Sequence, residues 1–458
     1  MTAPIVDVVA TLDQQRVSAF QIRVAALCAA VVFFDGFDTQ VIGNLNPAIA
    51  KDWQLTGGVM KWVGTAGLIG LMLGALTLGP LADRVGRRAV IIGSTLAFGI
   101  ITVLTGAFAD SLASLIVWRF LTGIGLGGAM PNSIAMTAEY APRRYQSTLV
   151  MVMFCGFPLG ASFAGFVAGE MIGLYGWRSV LYVGGILPIA LVPLLLAGLP
   201  ESIRHLVLEG TQPRRIRALV LRINPTATYA EDTQFIISEQ HGGGVPVKYL
   251  FMDGRALATI LLWIIFFMSL LNIFLINFWL PKLAQDSGVP DKLSHFATGL
   301  FQAGGVAGVL VLGLLVDRFG FYRVLAPTYF LSAVFIGLIG FVAAEPYVLL
   351  LAATLAGVFV IGGQIGANAL ASTFYPTFIR STGVGWALGI GRIGSIAGPF
   401  IGGTMIDFKA PVASIFILGG VAGLCAALAV FGMGCTQAAA PLGRGSLPSS
   451  DGMAVRHL

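Results

Sequence analysis

Four ionisable residues lie deep within apolar stretches of the chain: Asp35, Asp38, Arg119 and Arg392. Asp35 and Asp38 are three positions apart, so a helix puts them on one face. Counted from Arg23 and Lys51, each is about 18–20 Å from the nearer flanking charge at the helical rise. An ionisable group at that depth is costly, and it faces a cavity or a partner. Burial favours the protonated carboxyl, and a second carboxylate nearby favours it further. The pair therefore suits proton carriage; the plainer alternative is a static ion pair or a helix cap. Arginine stays charged when buried and offers a planar fork to a carboxylate. Arg392 reads as an anchor for a substrate carboxylate, as a permanent partner of Asp35 or Asp38, or as the two in alternation. Arg119 reads as a second substrate contact or as a partner of the acids.

Uncharged polar and aromatic residues surround these four. Asn272, Asn277, Gln302, Gln364 and Asn368 suit either ligand contact or hydrogen bonding between helices. Gln364 and Asn368 are four apart and share a face, which favours a common cavity. Phe33, Phe34 and Phe37 flank the acids, and Phe154, Phe157 and Trp386 lie in other apolar runs. Such rings suit a flat aromatic ligand, with Phe37 the one expected at the substrate, although for any single ring lipid or core packing is the stronger reading. A second charged group comprises Asp83, Arg84, Arg87, Arg88 and Glu139, with Asp317 and Arg318 repeating part of it. It reads as an ion-pair network that gates the molecule, or as charge that only sets orientation.

Other chemistries find no support. GIGLGG, Gly123 to Gly128, has no preceding strand and no acidic residue at ribose spacing, so it is no dinucleotide loop. There is no GxxxxGK[ST], HExxH or GxSxG. Cys28, Cys155, Cys425 and Cys435 have no metal spacing and read as small hydrophobes. No cofactor or metal is expected, nor a cleavable signal peptide.

The elements that position the four residues follow from composition. The chain has 458 residues, 57% hydrophobic and only 10% charged. That excludes a soluble enzyme and a disordered chain, and it predicts an all-α polytopic membrane protein. Twelve apolar runs are long enough to span: 24–49, 62–82, 89–109, 112–138, 148–170, 178–199, 257–280, 296–316, 324–343, 347–373, 383–406 and 412–434. The longest gap divides them six and six. The expected organisation is an N-terminal bundle (1–199), a central loop (200–255), a C-terminal bundle (256–435) and a tail (436–458). Within the loop, RRIRALVLRI (214–223) suits a basic amphipathic helix on the membrane surface.

Lys and Arg set the orientation. With the N-terminus inside, the inner side receives nineteen of them, including Arg16, Arg444 and Arg456, and the outer side six. Both termini and the central loop are expected to be cytoplasmic. The net charge of +6 is then topological, and nucleic-acid binding falls away.

The halves repeat. Asp83-Arg84-Val85-Gly86 recurs as Asp317-Arg318-Phe319-Gly320, a register of 234 positions. Gly70, Gly74, Gly79, Pro142, Ser147 and Thr148 match Gly304, Gly308, Gly313, Pro376, Ser381 and Thr382 in that register. A same-direction duplication of six spans places substrate near the midplane, at the repeat interface.

These motifs resemble the major facilitator superfamily along nearly the whole chain. GPLADRVGRR (Gly79 to Arg88) resembles its loop between spans two and three, and GLLVDRFGFYR (Gly313 to Arg323) is a weaker copy. RFLTGIGLGGAMPN (Arg119 to Asn132) resembles the span-four motif, and PESIR (Pro200 to Arg204) the close of span six in metabolite porters. DGFDTQ (Asp35 to Gln40) resembles the aromatic acid:proton symporter family. The resemblance implies two six-helix bundles, import of benzoate-type carboxylates with protons, and proton coupling at the span-one acids. The partners expected are an aromatic carboxylate, protons and membrane lipid, with the chain a monomer in the inner membrane. The alternatives are a porter of another organic acid or sugar-like metabolite, an exporter of aromatics, and a transporter-like sensor. A midplane arginine favours an anion over a neutral sugar. CGFPLGASFAG (Cys155 to Gly165) lacks the full exporter pattern, and the tail is too short for a signalling domain.

Overall fold

The protein is described here from a computed structural model. It describes residues 5–15, 17–210, 212–224, 229, 233–237, 247–252, 254–342, 344–375 and 379–439. Arg16, Pro376, Arg444, Arg456, the tail from 440 and the side chains of Ser147 and Ser381 lie outside the described residues.

Among the described residues, twelve helices are long and apolar enough to cross a membrane. Spans one to six are Ala19–Asp52, Lys61–Val85, Arg87–Phe108, Leu112–Tyr140, Arg143–Tyr175 and Trp177–Gly198. Spans seven to twelve are Ala256–Asp286, Asp291–Phe319, Phe321–Val342, Pro346–Phe374, Thr382–Asp407 and Val412–Thr436. Most begin earlier or end later than their apolar runs. Capping residues outside the run carry the helix on, as where Ser18 and Gln21 form a capping box ahead of span one.

The duplication is physical. In each half the first span packs on the fifth and sixth, the second on the fourth, and the third on the sixth. A Cβ at Gly70 or Gly74 would overlap the carbonyl oxygens of Phe120 and Ile124. At Gly304 and Gly308 it would overlap those of Thr354 and Val358, the same contacts 234 positions on. Small residues let these helix backbones touch, which is how helices associate in lipid. Gly86 and Gly320 are also paired in register, and each turns a hairpin at a positive φ, 96° and 83°.

The apolar core has three parts. One fills the end of the molecule where span one stops, and it draws residues from both halves, among them Leu45, Val63, Leu275 and Phe301. The other two lie at the opposite end and each belongs to one half. Val31, Phe98 and Leu195 are in one, and Leu262, Leu325 and Val430 in the other. The halves are thus joined at one end, called here the far end, and separate at the near end.

Two near-end features depart from the sequence reading. Helix Pro213–Ile223 buries Ile216, Leu219, Val220 and Ile223 in the N-terminal half's core. Its apolar face is therefore taken by protein and does not lie in the membrane surface. The all-α reading also omits a short ribbon, in which Ile5–Asp7 pairs in parallel with Gln234–Ile236. It ties the N-terminal segment to the central loop.

Gly74→Leu and Gly308→Leu should each destabilise the protein by at least about 1–3 kcal/mol, because the helix backbones cannot separate without losing contact. Gly313→Ala, with nothing within 4 Å of its Cβ position, should be neutral. Thermal unfolding in detergent distinguishes the two outcomes.

Candidate functional site

The four intramembrane charges converge on span one, and they do not behave alike. Asp38 is fully buried and its carboxylate is satisfied. Arg119 Nη1 donates to its Oδ2 at 2.9 Å, and Thr102 donates to Oδ1 at 2.7 Å. Arg119 Nη2 also donates to the Asp38 carbonyl at 2.9 Å. Spans one, three and four are thereby pinned around one buried ion pair.

Asp35 is equally buried, but its only hydrogen-bond donor among the described residues is Thr39, one turn on, at 3.1 Å. Arg392 faces it electrostatically from span eleven of the other half. No ion pair closes between them within 4 Å. The nearest polar contact of the Arg392 guanidinium is Met130 Sδ, at 3.8 Å in span four. An acid and a guanidinium thus face each other across the interface with their pairing incomplete.

Gly36 between the acids has a packing role. A Cβ there would overlap the backbone of Phe157, so glycine lets span five close on span one at this level. Gly160 does the same against Phe33. A cavity of about 20 Å3 between the halves has Thr39, Gln40 and Arg119 in its lining, with Phe274 and Pro399 from the other half. That is room for one water. Gln40 Nε2 and Arg119 Nε, both buried, have no protein partner there.

The uncharged candidates separate. Gln364 Nε2 donates to Asn368 Oδ1 at 3.1 Å, which leaves Gln364 Oε1 buried and unpaired. Gln302 Nε2 donates to Asn277 Oδ1 at 2.9 Å and joins spans seven and eight, while Asn277 Nδ2 donates to the Ile273 carbonyl at 2.7 Å. Asn272 lies beside Gly419 of span twelve, away from the interface, with Oδ1 unpaired. Phe37 was expected at the substrate, but its ring is buried against Gly184 and Phe163 inside the N-terminal bundle. Its position after Gly36 turns it toward spans five and six.

At the near end, Arg87 pairs with Glu139 at 2.7 Å, and Ser202 donates to the same carboxylate. Glu201 accepts from the Arg88 backbone N–H at 3.1 Å. These residues belong to the N-terminal bundle and, for Glu201 and Ser202, to the segment that directly follows it, so the network braces one bundle. Asp83 reaches Arg87 only at 3.9 Å and is 74% exposed, and Arg84 is exposed. Asp317 and Arg318 are exposed too. The second copy has Phe321 in the register of Arg87 and Thr373 in that of Glu139, so it lacks both partners.

Sequence reasoning missed Thr102, Glu201 and Ser202. A threonine in an apolar run gives no signal by itself. Glu201 and Ser202 lay within PESIR, where the motif was visible but not its contacts.

Arg119→Ala should destabilise the protein by about 3–5 kcal/mol, because it strands a carboxylate that is wholly out of water. Adding Asp38→Asn should recover part of that loss. Thermal unfolding of both variants in detergent measures it.

A family model described as Major Facilitator Superfamily matches residues 28–261 and again 262–446. A gallate transporter of Pseudomonas putida is 40% identical over 435 residues, covering 94% of this chain and 96% of that one. The 4-hydroxybenzoate transporter PcaK of Pseudomonas aeruginosa is 40% identical over 402 residues, covering 87% and 89%. Among solved structures, the xylose transporter XylE from E. coli, in a partially occluded inward open conformation, superposes with a TM-score of 0.68. At 18% identity, covering 90% of this chain and 97% of that one, this likeness concerns the fold. The duplicated bundles, the match to each half and the extent of these similarities agree: the chain belongs to the Major Facilitator Superfamily, whose members are transporters rather than enzymes.

Proposed function

We propose that the protein is a proton-coupled symporter that imports an aromatic carboxylate of the hydroxybenzoate type by alternating access. The observation that carries this reading is the unclosed pairing of Asp35 and Arg392 across the interface of the halves. Arg392 is half-buried, and a guanidinium held in the membrane without a closed ion pair is an anchor for a carboxylate. A buried acid without an ion-pair partner takes up a proton more readily than one held by arginine. Asp38 has its arginine already, so Asp35 is the proton carrier in this reading. Asp38 and Arg119 hold span one in place. The named substrates of the relatives, gallate and 4-hydroxybenzoate, supply the ligand class.

The cycle follows from those charges. Asp35 is protonated, the substrate carboxylate engages Arg392, and the aromatic ring lies between the bundles near Gln364 and Asn368. Loss of both charges from the empty site lets the bundles rock. With the positive residues inside, the near end is cytoplasmic, as are both termini, in the inner membrane. The conformation described here then faces inward, closed at the far end. The bundles 1–199 and 256–435 are the moving bodies, the segment 200–255 connects them, and 436–458 is a tail. A monomer suffices, since the whole interface lies within one chain. Arg87, Arg88, Glu139 and Glu201 hold the near end of the N-terminal bundle rigid during rocking, with Asp83 and Arg84 at its rim and Asp317 and Arg318 at the rim of the C-terminal bundle.

One proton with one monoanion is electroneutral and uses only the pH gradient. A second proton would add about 2.3 kcal/mol per 100 mV, nearly fifty-fold in accumulation.

Uptake of labelled 4-hydroxybenzoate into proteoliposomes under an imposed inward proton gradient tests the reading. The wild type should accumulate it. Asp35→Asn should exchange substrate down its gradient but lose proton-driven accumulation. Arg392→Lys should raise the half-saturating concentration by about tenfold or more, having lost the bidentate fork. Gradient-driven accumulation that persists in Asp35→Asn refutes its role as carrier. Absence of gradient-dependent uptake for any benzoate-type acid refutes the reading as a whole.

A further inference from the structure

The far end is closed by two seams, span two against span eleven and span five against span eight. The 234-residue register maps span two onto eight and five onto eleven, so the seams are images of each other. Each carries an ion pair with the cation on span two or eight and the acid on span five or eleven. They are Lys61–Asp407 and Lys292–Glu170. Between described residues, these are the ion pairs that cross from one half to the other. The four residues are not register images: Lys61 maps onto His295, and Glu170 onto Thr404. Duplication alone therefore does not account for a charge pair in both seams.

The two pairs differ in surroundings. Lys61 is 11% exposed and lies over the Phe400 ring at 5.3 Å, with Thr404 Oγ1 at 3.3 Å from its ammonium. Asp407 Oδ2 takes the ammonium, and Oδ1 accepts from the Gly58 N–H at 2.7 Å. Beneath them the Gly58 and Gly403 backbones meet so closely that a Cβ at Gly58 would overlap the Gly403 carbonyl. Lys292 and Glu170, by contrast, are 53% and 58% exposed. Water and salt screen that second pair, and such pairs contribute little. A half-buried pair with its remaining hydrogen bonds satisfied leaves a stranded partner when one member is removed.

The geometry points to Lys61 and Asp407 as a latch that sets how often the far end opens. They are positioning residues for the transport cycle, touching neither substrate nor Asp35. Opening the 2–11 seam must break the ion pair, its two supporting hydrogen bonds and the cation–ring contact together. In the 5–8 seam the exposed ion pair gives way with less resistance, and what holds that seam is close packing and the Ser162 hydrogen bond to the Gly299 carbonyl at 2.8 Å. This inference rests on the alternating-access reading but not on the identity of the substrate.

Hydrogen–deuterium exchange of the full chain in proteoliposomes, without substrate, tests it. Lys61→Met and Asp407→Asn should each speed exchange around residues 53–64 and 400–411 by about tenfold, with slower exchange at the near end, as the population shifts. Lys61→Arg should keep wild-type protection, and Glu170→Gln should change it by less than about twofold. Unchanged far-end exchange in folded Lys61→Met and Asp407→Asn overturns the latch, as does a larger effect from Glu170→Gln. If neither neutral variant folds, Lys61→Arg decides: retained protection supports the latch and fast far-end exchange in the folded protein overturns it. Because no substrate is present, failure of benzoate uptake with these shifts intact overturns the substrate assignment and leaves the latch standing.

Discussion

A charge buried among apolar helices must be answered by an opposite charge, and Asp38 is answered by Arg119. The rest of the site depends on that pairing. Arg119 spends two of its donor nitrogens on Asp38, one on the carboxylate and one on the carbonyl. Thr102 takes the other carboxylate oxygen. Spans one, three and four are held by contacts buried away from bulk water. Once Asp38 and Arg119 are matched, Asp35 and Arg392 are the unmatched charges that remain, on opposite sides of the interface. A site with one acid and one arginine would have closed into a permanent pair. Two of each allow one pair to be structural and the other to be available.

Packing keeps the duplication, whereas chemistry discards it. Gly70, Gly74, Gly304 and Gly308 meet the same backbone carbonyls in each half. Close approach needs a small residue wherever it occurs, and both copies need it. The four intramembrane charges have no such duplicates. The register images of Asp35, Asp38, Arg119 and Arg392 are Ser269, Asn272, Ala353 and Pro158. Every additional buried charge costs free energy, so one set is kept and its images are neutral. Gly43 and Asn277 show where the copies meet. They are images of one another, and a Cβ at Gly43 would strike the Asn277 carbonyl. Spans one and seven therefore cross close to the axis relating the halves.

The three-part core suits the rocking proposed above, since it joins two bundles that are each rigid. Each near-end core belongs to a single half, so each bundle is solid in itself. The shared core at the far end is apolar and closed by two seams. Apolar contact is non-directional, and it can part and re-form without leaving polar groups unpaired. The near-end polar network does not cross to the C-terminal bundle, so the proposed rocking would not strain it.

The number of spans, their division into two sixes, the repeat register and the short list of buried charges were all legible in the chain. Apolar run length, charge bias and recurrence at fixed spacing are properties of sequence alone, because a bilayer imposes them on each segment separately. The amphipathic pattern of 214–223 was legible too, but not what covers its apolar face. Which acid pairs with which arginine was not legible, since that depends on the rotation of four helices that meet only in the folded molecule. For the same reason Phe37 looked like a ligand wall and is core, and Thr102 looked like core and is a ligand of Asp38. Nothing in the sequence links Lys61 with Asp407. Only tertiary structure brings them together, because a contact over 346 positions is decided by packing and not by local spacing.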